Sequence, residues 1–559
     1  MVNVTLESTI NWNTIRWESV GKVVQNLRQR IFRATAEGKI KTVRSLQRLL
    51  LRSYSNQVLS IRRVTQVNKG KNTPGIDKVT VKTPAGRAKL VDELATFSPE
   101  KVQSVRRIYI PKKEKGRFRP LGIPTILDRG TQALVKNALE PYWEAKFEAI
   151  SYGFRPGRGC HDAIERIFSL ANGCTKKKWV LDFDIRGAFD HICWDHILQC
   201  IGNFPARELI KQWLKAGYVE VGELHKTTSG TPQGGVISPL LLNIALHGME
   251  EILNIKYDGM GKKIRSNRAL VRYADDAVVF CETKEDAQEV MMILEKWLAE
   301  RGLDFSHEKT QIVHITDGFN FLGFNIRQYR SSNTQSGWKL LIKPSQESVN
   351  KIRERLRNEW KTFNGYNVET IIRRLNPIIR GQANYYSTSV ASQIFSSLDH
   401  YQYNKQFHWA KRTHPKKPKR WLTNKYWRCF NPSRMDHWVF GDKNTGRYLL
   451  QYSWFPIDRH ILVKGRASPD DPTLRDYWKK RLLHGCKDLE PKKKRLAQRQ
   501  DGLCNVCNQS LLNGEETQID YIVSKSRGGL ATDASNLQLL HLLCKQQKTY
   551  QDRSSKVAA

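Results

Sequence analysis

"RYADDAVVF", residues 272–280, sets two adjacent carboxylates, Asp275 and Asp276, inside an otherwise apolar run. Val271, Tyr273 and Ala274 precede the pair; Ala277, Val278, Val279 and Phe280 follow it. So many β-branched and aromatic residues predict two short strands meeting at a tight Asp-Asp turn. Asp is also an ordinary turn residue, so the pair takes on chemical meaning only beside another carboxylate and a reason to hold a cation.

"WVLDFDIRGAFD" (179–190) supplies that carboxylate. Read as a strand, it turns Leu181, Phe183 and Ile185 to one side and Asp182 and Asp184 to the other. Two acids on one face of a buried-looking strand are costly unless they bind a cation. Asp184 (or Asp182) together with the Asp275–Asp276 turn forms a cluster suited to two Mg²⁺ ions. Such ions activate an attacking hydroxyl and stabilise the leaving oxygen of an in-line phosphoryl displacement.

The chain around these segments is strongly cationic. It has 559 residues, with 93 Lys and Arg against 54 Asp and Glu, a formal net charge of +39. Such a balance calls for a polyanionic partner, and nucleic acid fits better than a membrane surface because the basic segments are not simple amphipathic anchors. Hydrophobic content of 40% supports packed cores. No apolar run reaches the roughly 18 residues of a membrane span, and no signal pattern opens the chain, so a soluble protein is expected. Most of the 10 cysteines are scattered singly, as reduced core residues usually are.

Residues 22–63 hold eleven Lys and Arg and one acid, Glu37. Val23, Val24, Leu27, Ile31 and Phe32, then Leu46, Leu49 and Leu50, predict two amphipathic helices with basic outer faces suited to phosphates. "RRIYIPKKEKGRFRPLGIP" (106–124) reads as a hairpin with a basic turn, and "RGTQALVKNALEPYWEAKF" (129–147) as a helix. Helices are expected over 347–380, with Ile352, Leu356 and Trp360 on one face. Residues 405–428 carry nine Lys and Arg and no acid, interleaved with Phe407, Trp409, Trp421, Tyr426 and Trp427. Those rings suit either stacking on bases or a buried helix pair; the cations Lys411, Arg412, Lys416, Lys417, Lys419 and Arg420 suit nucleic acid.

The motifs "RPLGIPTILDRGTQALV", "YGFRPGRGCHDAI", "DIRGAFD", "TPQGGVISPLLLNIAL" and "YADD" occur in that order. Together with "LNPIIRGQANYYS" (375–387), they make the chain resemble a bacterial or organellar group II intron reverse transcriptase–maturase over roughly 10–550. The resemblance implies an α+β multidomain protein: a right-hand polymerase of fingers, palm and helical thumb, a basic DNA-binding region, and a small zinc-containing ββα HNH-like domain. It implies boundaries at 1–99 (basic helices and start of the fingers), 100–335 (fingers and palm), 336–440 (thumb and maturase), 441–500 (DNA binding and linker) and 501–559. Asp184, Asp275 and Asp276 correspond to the palm acids, with Asp184 and Asp275 the direct Mg²⁺ ligands and Asp182 a neighbour. Phe189 matches the steric gate against a ribonucleotide 2′-hydroxyl. Gln233 matches a residue of the nucleotide pocket, and Lys112 and Arg119 match the pair that grips the triphosphate. The implied partners are deoxynucleoside triphosphates, the chain's own intron RNA and a target DNA, in a bacterial cytoplasm or an organelle.

"CNVC" (504–507) and "LLHLLC" (539–544) supply Cys504, Cys507, His541 and Cys544, a credible tetrahedral Zn²⁺ site. The intervening "IDYIVSKSRGGLATDASNLQLLH" (519–541) resembles an HNH endonuclease. That family has a general-base His after the acid and another His after the last Cys. Here Tyr521 and Lys545 stand in those places, while Asp520 and Asn536 remain, so the scaffold is expected to persist with nuclease chemistry weakened. Two alternatives compete with this assignment. A retron or diversity-generating reverse transcriptase is disfavoured by the long C-terminal half, and a catalytically silent RNA-binding splicing factor by the intact aspartates, Phe189 and Gln233.

Overall fold

The computed structural model describes residues 10–111, 116, 118–173, 175–256, 264, 266–431, 433–524, 528–530 and 533–557. Its centre is a four-stranded antiparallel sheet in the order Ala269–Tyr273, Asp276–Cys281, Trp179–Asp184, Gln311–His314. Alternation along the strands divides the apolar residues between two cores. Leu181, Phe183, Leu270, Ala277 and Val279 pack beneath helices that include Ile126–Glu144, Trp194–Ile201, Ser238–Ala245 and Lys284–Ala299. Val180, Val271, Val278 and Phe280 occupy the other core, with the helix Cys160–Ala171 and the strands of 319–344. Asp182, Asp184 and Asp276 lie on this second face by register, at the end the apolar residues leave open.

The 106–124 hairpin forms with Arg106 opposite Ile123 and Pro111 opposite Phe118. It joins the short strands Tyr218–Glu220 and Glu223–His225 in a separate sheet. Lys112 and the rest of the basic turn, save Gly116, lie outside the described residues.

The N-terminal region has three helices where periodicity predicted two: Trp17–Ala36, Ile40–Arg52 and Tyr54–Arg62. Ser53, in an extended conformation, ends the second and starts the third. Val24, Leu27, Ile31, Leu46 and Leu50 are buried as their spacing requires, whereas Val23 and Leu49 fall off the stripe and are exposed.

The helix Gln346–Thr362 starts under a Ser345 cap whose hydroxyl accepts from Ser348 N, and it buries Ile352, Leu356 and Trp360. Val368–Tyr386 and Ser392–Thr413 pack with it. Polar residues of "LNPIIRGQANYYS" bind the chain that follows. Asn376 pairs with the backbone of Tyr448 and Leu450, Gln382 accepts from the Tyr452 hydroxyl, and Asn384 donates to Asp488 O.

The segment 459–481, which suggests no mechanism from its residues alone, is a strap. Asp162 Oδ1 accepts from Val463 N at 2.8 Å and Arg481 Nη2 at 2.7 Å, and lies 2.9 Å from His460 Nε2. Further along, Asp470 takes a bidentate grip from Arg28 at 2.9 and 2.6 Å. The strap thereby ties the helix Cys160–Ala171 to the first N-terminal helix.

The chain closes on a hairpin, Thr517–Tyr521 with Leu537–His541, and the helix Leu542–Val557. This ββα unit shares a core with the N-terminal helices: Trp12, Trp17, Val20, Val58 and Ile61 pack in one cluster with Leu511, Leu539, Leu540, Cys504, Cys507 and Cys544. Among the described residues, no helix is long and apolar enough to cross a membrane.

Candidate active site and metal centre

Strand register assembles the first site. Asp184 stands directly opposite Asp276, and Tyr273 pairs with Asp276 across the hairpin, so Ala274 and Asp275 form the turn itself. The turn is therefore Ala-Asp, one residue earlier than expected, and Asp276 opens the second strand. Ala274 has φ +60°, and its backbone lies so close to Gly153 that a Cβ there would sit 2.4 Å from Ala274 N. Glycine at 153 is thus a steric requirement of the turn.

Like charges directly opposite each other destabilise a sheet, and here they are also half-buried. Burial, reinforced by Asp275, Asp184 and Asp182, pushes the Asp276 carboxyl up to about 7. Burial likewise pushes Asp182 up to about 6, against a hydrogen bond from Gln311 and with the charge of Asp184 adding to the rise. Asp275 is raised mainly by burial, with Asp184 adding and Arg119 and Lys309 opposing. A hard dication set among these oxygens would remove the repulsion, and a carboxylate donor set is the kind Mg²⁺ takes. The acids fit such an ion.

Lys309, which the sequence reading missed, pairs with Asp184 Oδ2 at 2.7 Å. Arg272 was missed too, although an arginine inside a buried strand is itself a signal. Its side chain is fully buried, and Nη1 donates to Ala274 O and to Asn243 Oδ1, each at 3.1 Å. Asn243 in turn donates to Gly153 O at 2.8 Å. Burial pushes Arg272 down to about 10, with the charges of Glu148 and Glu250 opposing. This network fixes the turn that carries Asp275.

Phe189 and Gln233 line one cavity of about 210 Å³, together with Arg107, Gly122 and Tyr218. Gln233 O accepts from Gly122 N at 2.8 Å, which docks the "TPQGG" loop on the hairpin. Gly234, with φ +123°, permits that contact; a Cβ would lie 2.7 Å from Gly122 O. Phe189 meets Phe154 edge-on at 6.2 Å. Arg119 is exposed on the same hairpin, and its charge reaches Asp275.

The second site lies in the C-terminal unit. Ligand atoms of Cys504, Cys507, His541 and Cys544 lie within 4.8 Å of one another, all four residues buried. His541 Nε2 is 3.0 Å from Ser510 O, a partner for its N–H that leaves Nδ1 to the cysteines, at 3.4 Å from Cys507 Sγ. Burial would lower His541, yet hydrogen bonds with Cys504 and Cys507 push it up to about 10. Three thiols and one imidazole nitrogen converging in this way are a donor set that Zn²⁺ takes. Arg62, from the third helix, donates to Cys544 Sγ at 3.4 Å and pairs with Glu515 at 3.3 Å.

Asn536 closes the loop of the ββα unit, accepting from Val523 N and donating to Val523 O and Leu530 O. Asp520 pairs with Lys548 Nζ at 3.2 Å and lies 4.0 Å from Lys545 Nζ, while Lys545 donates to Ile519 O. Lys548 escaped the sequence reading, although three residues beyond Lys545 on a helix is the same face. Tyr521 is half-buried at the end of its strand.

The basic segment divides as its chemistry does. Trp409, Tyr426 and Trp427 are buried, with Trp409 Nε1 donating to Phe363 O and Trp427 Nε1 to Gln406 Oε1. Phe407 and Trp421 are half-buried. Lys411, Arg412, Lys416, Lys417, Lys419 and Arg420 are all exposed.

Four family models match the chain. They are reverse transcriptase (RNA-dependent DNA polymerase) at 110–326, N-terminal domain of reverse transcriptase at 12–94, group II intron maturase-specific domain at 349–427, and HNH endonuclease at 504–551. Protein YkfC of Escherichia coli (strain K12) is 35% identical over 327 residues, 51% of this chain and 84% of that protein. The group II intron-encoded protein LtrA of Lactococcus lactis subsp. cremoris is 33% identical over 338 residues, 49% of this chain and 55% of LtrA. An uncharacterized 91 kDa protein in the cob intron of Schizosaccharomyces pombe is 31% identical over 355 residues, 50% of this chain and 43% of that protein. The chain belongs to the group II intron-encoded reverse transcriptase–maturases, RNA-directed DNA polymerases with a splicing-maturase domain, and carries a C-terminal HNH domain.

Proposed function

We propose that DNA synthesis on an RNA template takes place at the face formed by Asp184, Asp275 and Asp276. The observation that carries this reading is the direct opposition of Asp184 and Asp276 beside a turn bearing Asp275. Asp184 and Asp275 would hold two Mg²⁺ ions; when bound, the ions supply activation of the attacking hydroxyl and charge stabilisation at the leaving pyrophosphate. Arg119, with Lys112, grips the triphosphate, and Gln233 lines the sugar and base pocket. Arg272 holds the turn at a fixed height against the strand. The central sheet is the palm, the 105–123 hairpin belongs to the fingers, and the helices of 346–413 form the thumb and maturase region. The units run over 1–99, 100–335, 336–440, 441–500 and 501–559.

Phe189 selects the sugar. Phe189→Ala should raise ribonucleotide incorporation about tenfold or more while DNA synthesis continues, because the missing ring leaves room for a 2′-hydroxyl. Competing ribo- and deoxyribonucleotides in single-turnover primer extension measure this; unchanged sugar discrimination would place the gate elsewhere.

The exposed cations of 411–420 bind intron RNA in support of splicing, and the buried tryptophans beside them hold the helix pair together. Replacing Lys411, Arg412, Lys416, Lys417, Lys419 and Arg420 by Gln should weaken RNA binding and reduce the salt slope by about 0.7 for each phosphate no longer neutralised. An unchanged slope would make this surface a solvated one.

The HNH unit binds target DNA and does not cut it, and insertion of the intron into DNA relies on a primer made elsewhere. Asp520 is engaged by Lys548 where a catalytic cation would need it, and Tyr521 is a weak base near neutral pH. Purified protein with its intron RNA and a labelled target duplex should give no metal-dependent nick. Efficient nicking that is lost in Asp520→Asn would refute this.

A further inference from the structure

Phe154 follows Gly153, the glycine packed against the acid turn, and its backbone is left-handed, with φ +60°. For a bulky side chain that conformation is a true outlier, which glycine or asparagine adopts at less cost. Burial does not repay the strain, because Phe154 is 47% exposed. Strained residues persist only where their surroundings fix them, and they cluster at working sites.

The chain is fixed on both sides of Phe154. Before it, Tyr152 N donates to Arg272 O at 2.9 Å, and Gly153 O accepts from Asn243 Nδ2 at 2.8 Å. Those bonds tie the segment to the strand that leads into the acid turn. After it, the buried Arg155 binds Glu144 through Nε and Nη2 at 3.0 and 2.9 Å, and its Nη1 donates to Ser151 O at 2.9 Å. What this rigid turn presents is the Phe154 ring, and the ring meets Phe189. Their centroids lie 6.2 Å apart with the planes at 72°, the geometry of an attractive edge-to-face pair. The backbone of Phe189 is anchored separately, its O accepting from Thr231 N of the "TPQGG" loop at 2.6 Å. One turn therefore touches the acid turn with its backbone and the sugar gate with its side chain.

We propose that Phe154 is a positioning residue for sugar selection: its ring holds the Phe189 ring at a fixed place relative to the Ala274–Asp275 turn. The proposal rests on the reading of Phe189 as the sugar gate and deepens it by naming the group that sets the gate. A gate ring free to tilt would admit a 2′-hydroxyl that a braced ring excludes.

The test is the ratio of ribonucleotide to deoxyribonucleotide kcat/KM in primer extension by the full-length protein. Phe154→Asn removes the ring and places there a residue that tolerates the left-handed backbone, so the thermal midpoint should hold or rise. The ratio should nevertheless climb about three- to tenfold, the scale of one edge-to-face ring pair. Phe154→Tyr, which keeps the ring, should restore discrimination. Added to Phe189→Ala, Phe154→Asn should raise the ratio no further, because the ring it positions is gone. A ratio unchanged in Phe154→Asn but raised in Phe189→Ala overturns the positioning role and leaves the gate in place. The same rise in both backgrounds also overturns it, since Phe154 would then act without Phe189. Discrimination lost equally in Phe154→Tyr overturns it as well. A ratio unchanged in Phe189→Ala overturns the gate reading and this inference together.

Discussion

Asp275→Ala is expected to slow primer extension on an RNA template by about a thousandfold or more, equivalent to about 4 kcal/mol of lost barrier stabilisation. Asp275 stands in the turn between two buried strands, beside the Asp184–Asp276 pair, where the proposed ion would take it as a ligand. Its loss removes a proposed ligand and leaves Asp184 paired with Lys309 and Asp276 still raised by burial, with Asp184 and Asp182 adding. The strands themselves keep their apolar register, Leu181 against Val279 and Phe183 against Ala277, so the fold should persist. RNA affinity should persist as well, because the cations of 411–420 lie on and between the helices Ser392–Thr413 and Lys419–Tyr426, not on the central sheet. Single-turnover extension of a preannealed primer, with RNA affinity measured in parallel, checks both halves. Near-normal synthesis by this variant would remove the aspartate face from the chemistry. Loss of synthesis together with RNA binding would point to a folding defect instead.

The acid site was legible because its local pattern is strict. A period of two put Asp182 and Asp184 on one face, and the apolar flanks of Asp275 and Asp276 predicted strands. The one-residue error in the turn came from assigning both aspartates to it; Tyr273 pairs with Asp276, and Ala274 takes the left-handed conformation, its backbone close against Gly153, where a Cβ would not fit. Partners distant in sequence were not legible. Lys309 lies 125 residues from Asp184, and Arg62 lies 482 from Cys544, and no local periodicity encodes either pairing. The aromatics of 405–428 were ambiguous for a related reason: burial of a tryptophan is decided by what packs against it, here Tyr426 and Phe440 against Trp409, and Tyr403 and Phe440 against Trp427. The strap was opaque for the same reason, since Asp162 and Asp470 acquire meaning only once His460, Arg481 and Arg28 are brought to them.

We propose that Cys504, Cys507, His541 and Cys544 hold a structural Zn²⁺, and its removal is expected to loosen the C-terminal unit and the N-terminal helices together. Cys504, Cys507, His541 and Cys544 sit in the core cluster that contains Trp12, Trp17, Val58 and Ile61, or directly at it, so the ion's ligands are also packing partners of the N-terminal helices. Structural zinc of this kind contributes on the order of 10 kcal/mol to small domains, far more than the few kcal/mol that separate a docked from an undocked unit. Arg62 couples the two directly: its buried guanidinium answers the Cys544 sulfur and Glu515, and it stacks on Trp17 at 4.5 Å. Without the ion, the cysteines have no reason to converge, and Arg62 loses one of the two groups that compensate its burial. Chelation, or Cys544→Ser, should therefore raise amide exchange about tenfold or more in 504–544 and also in Trp17–Ala36 and Tyr54–Arg62, as local opening becomes cheaper. The strands of the central sheet belong to other core clusters and should keep their protection. If the tail opens on zinc removal while the N-terminal helices exchange as before, the shared core is too weak to transmit the loss, and the zinc unit is an appendage. If both open together, the ion bound near the C-terminus sets the order of helices more than four hundred residues earlier, and the packing of Trp17 under Arg62 is the physical link.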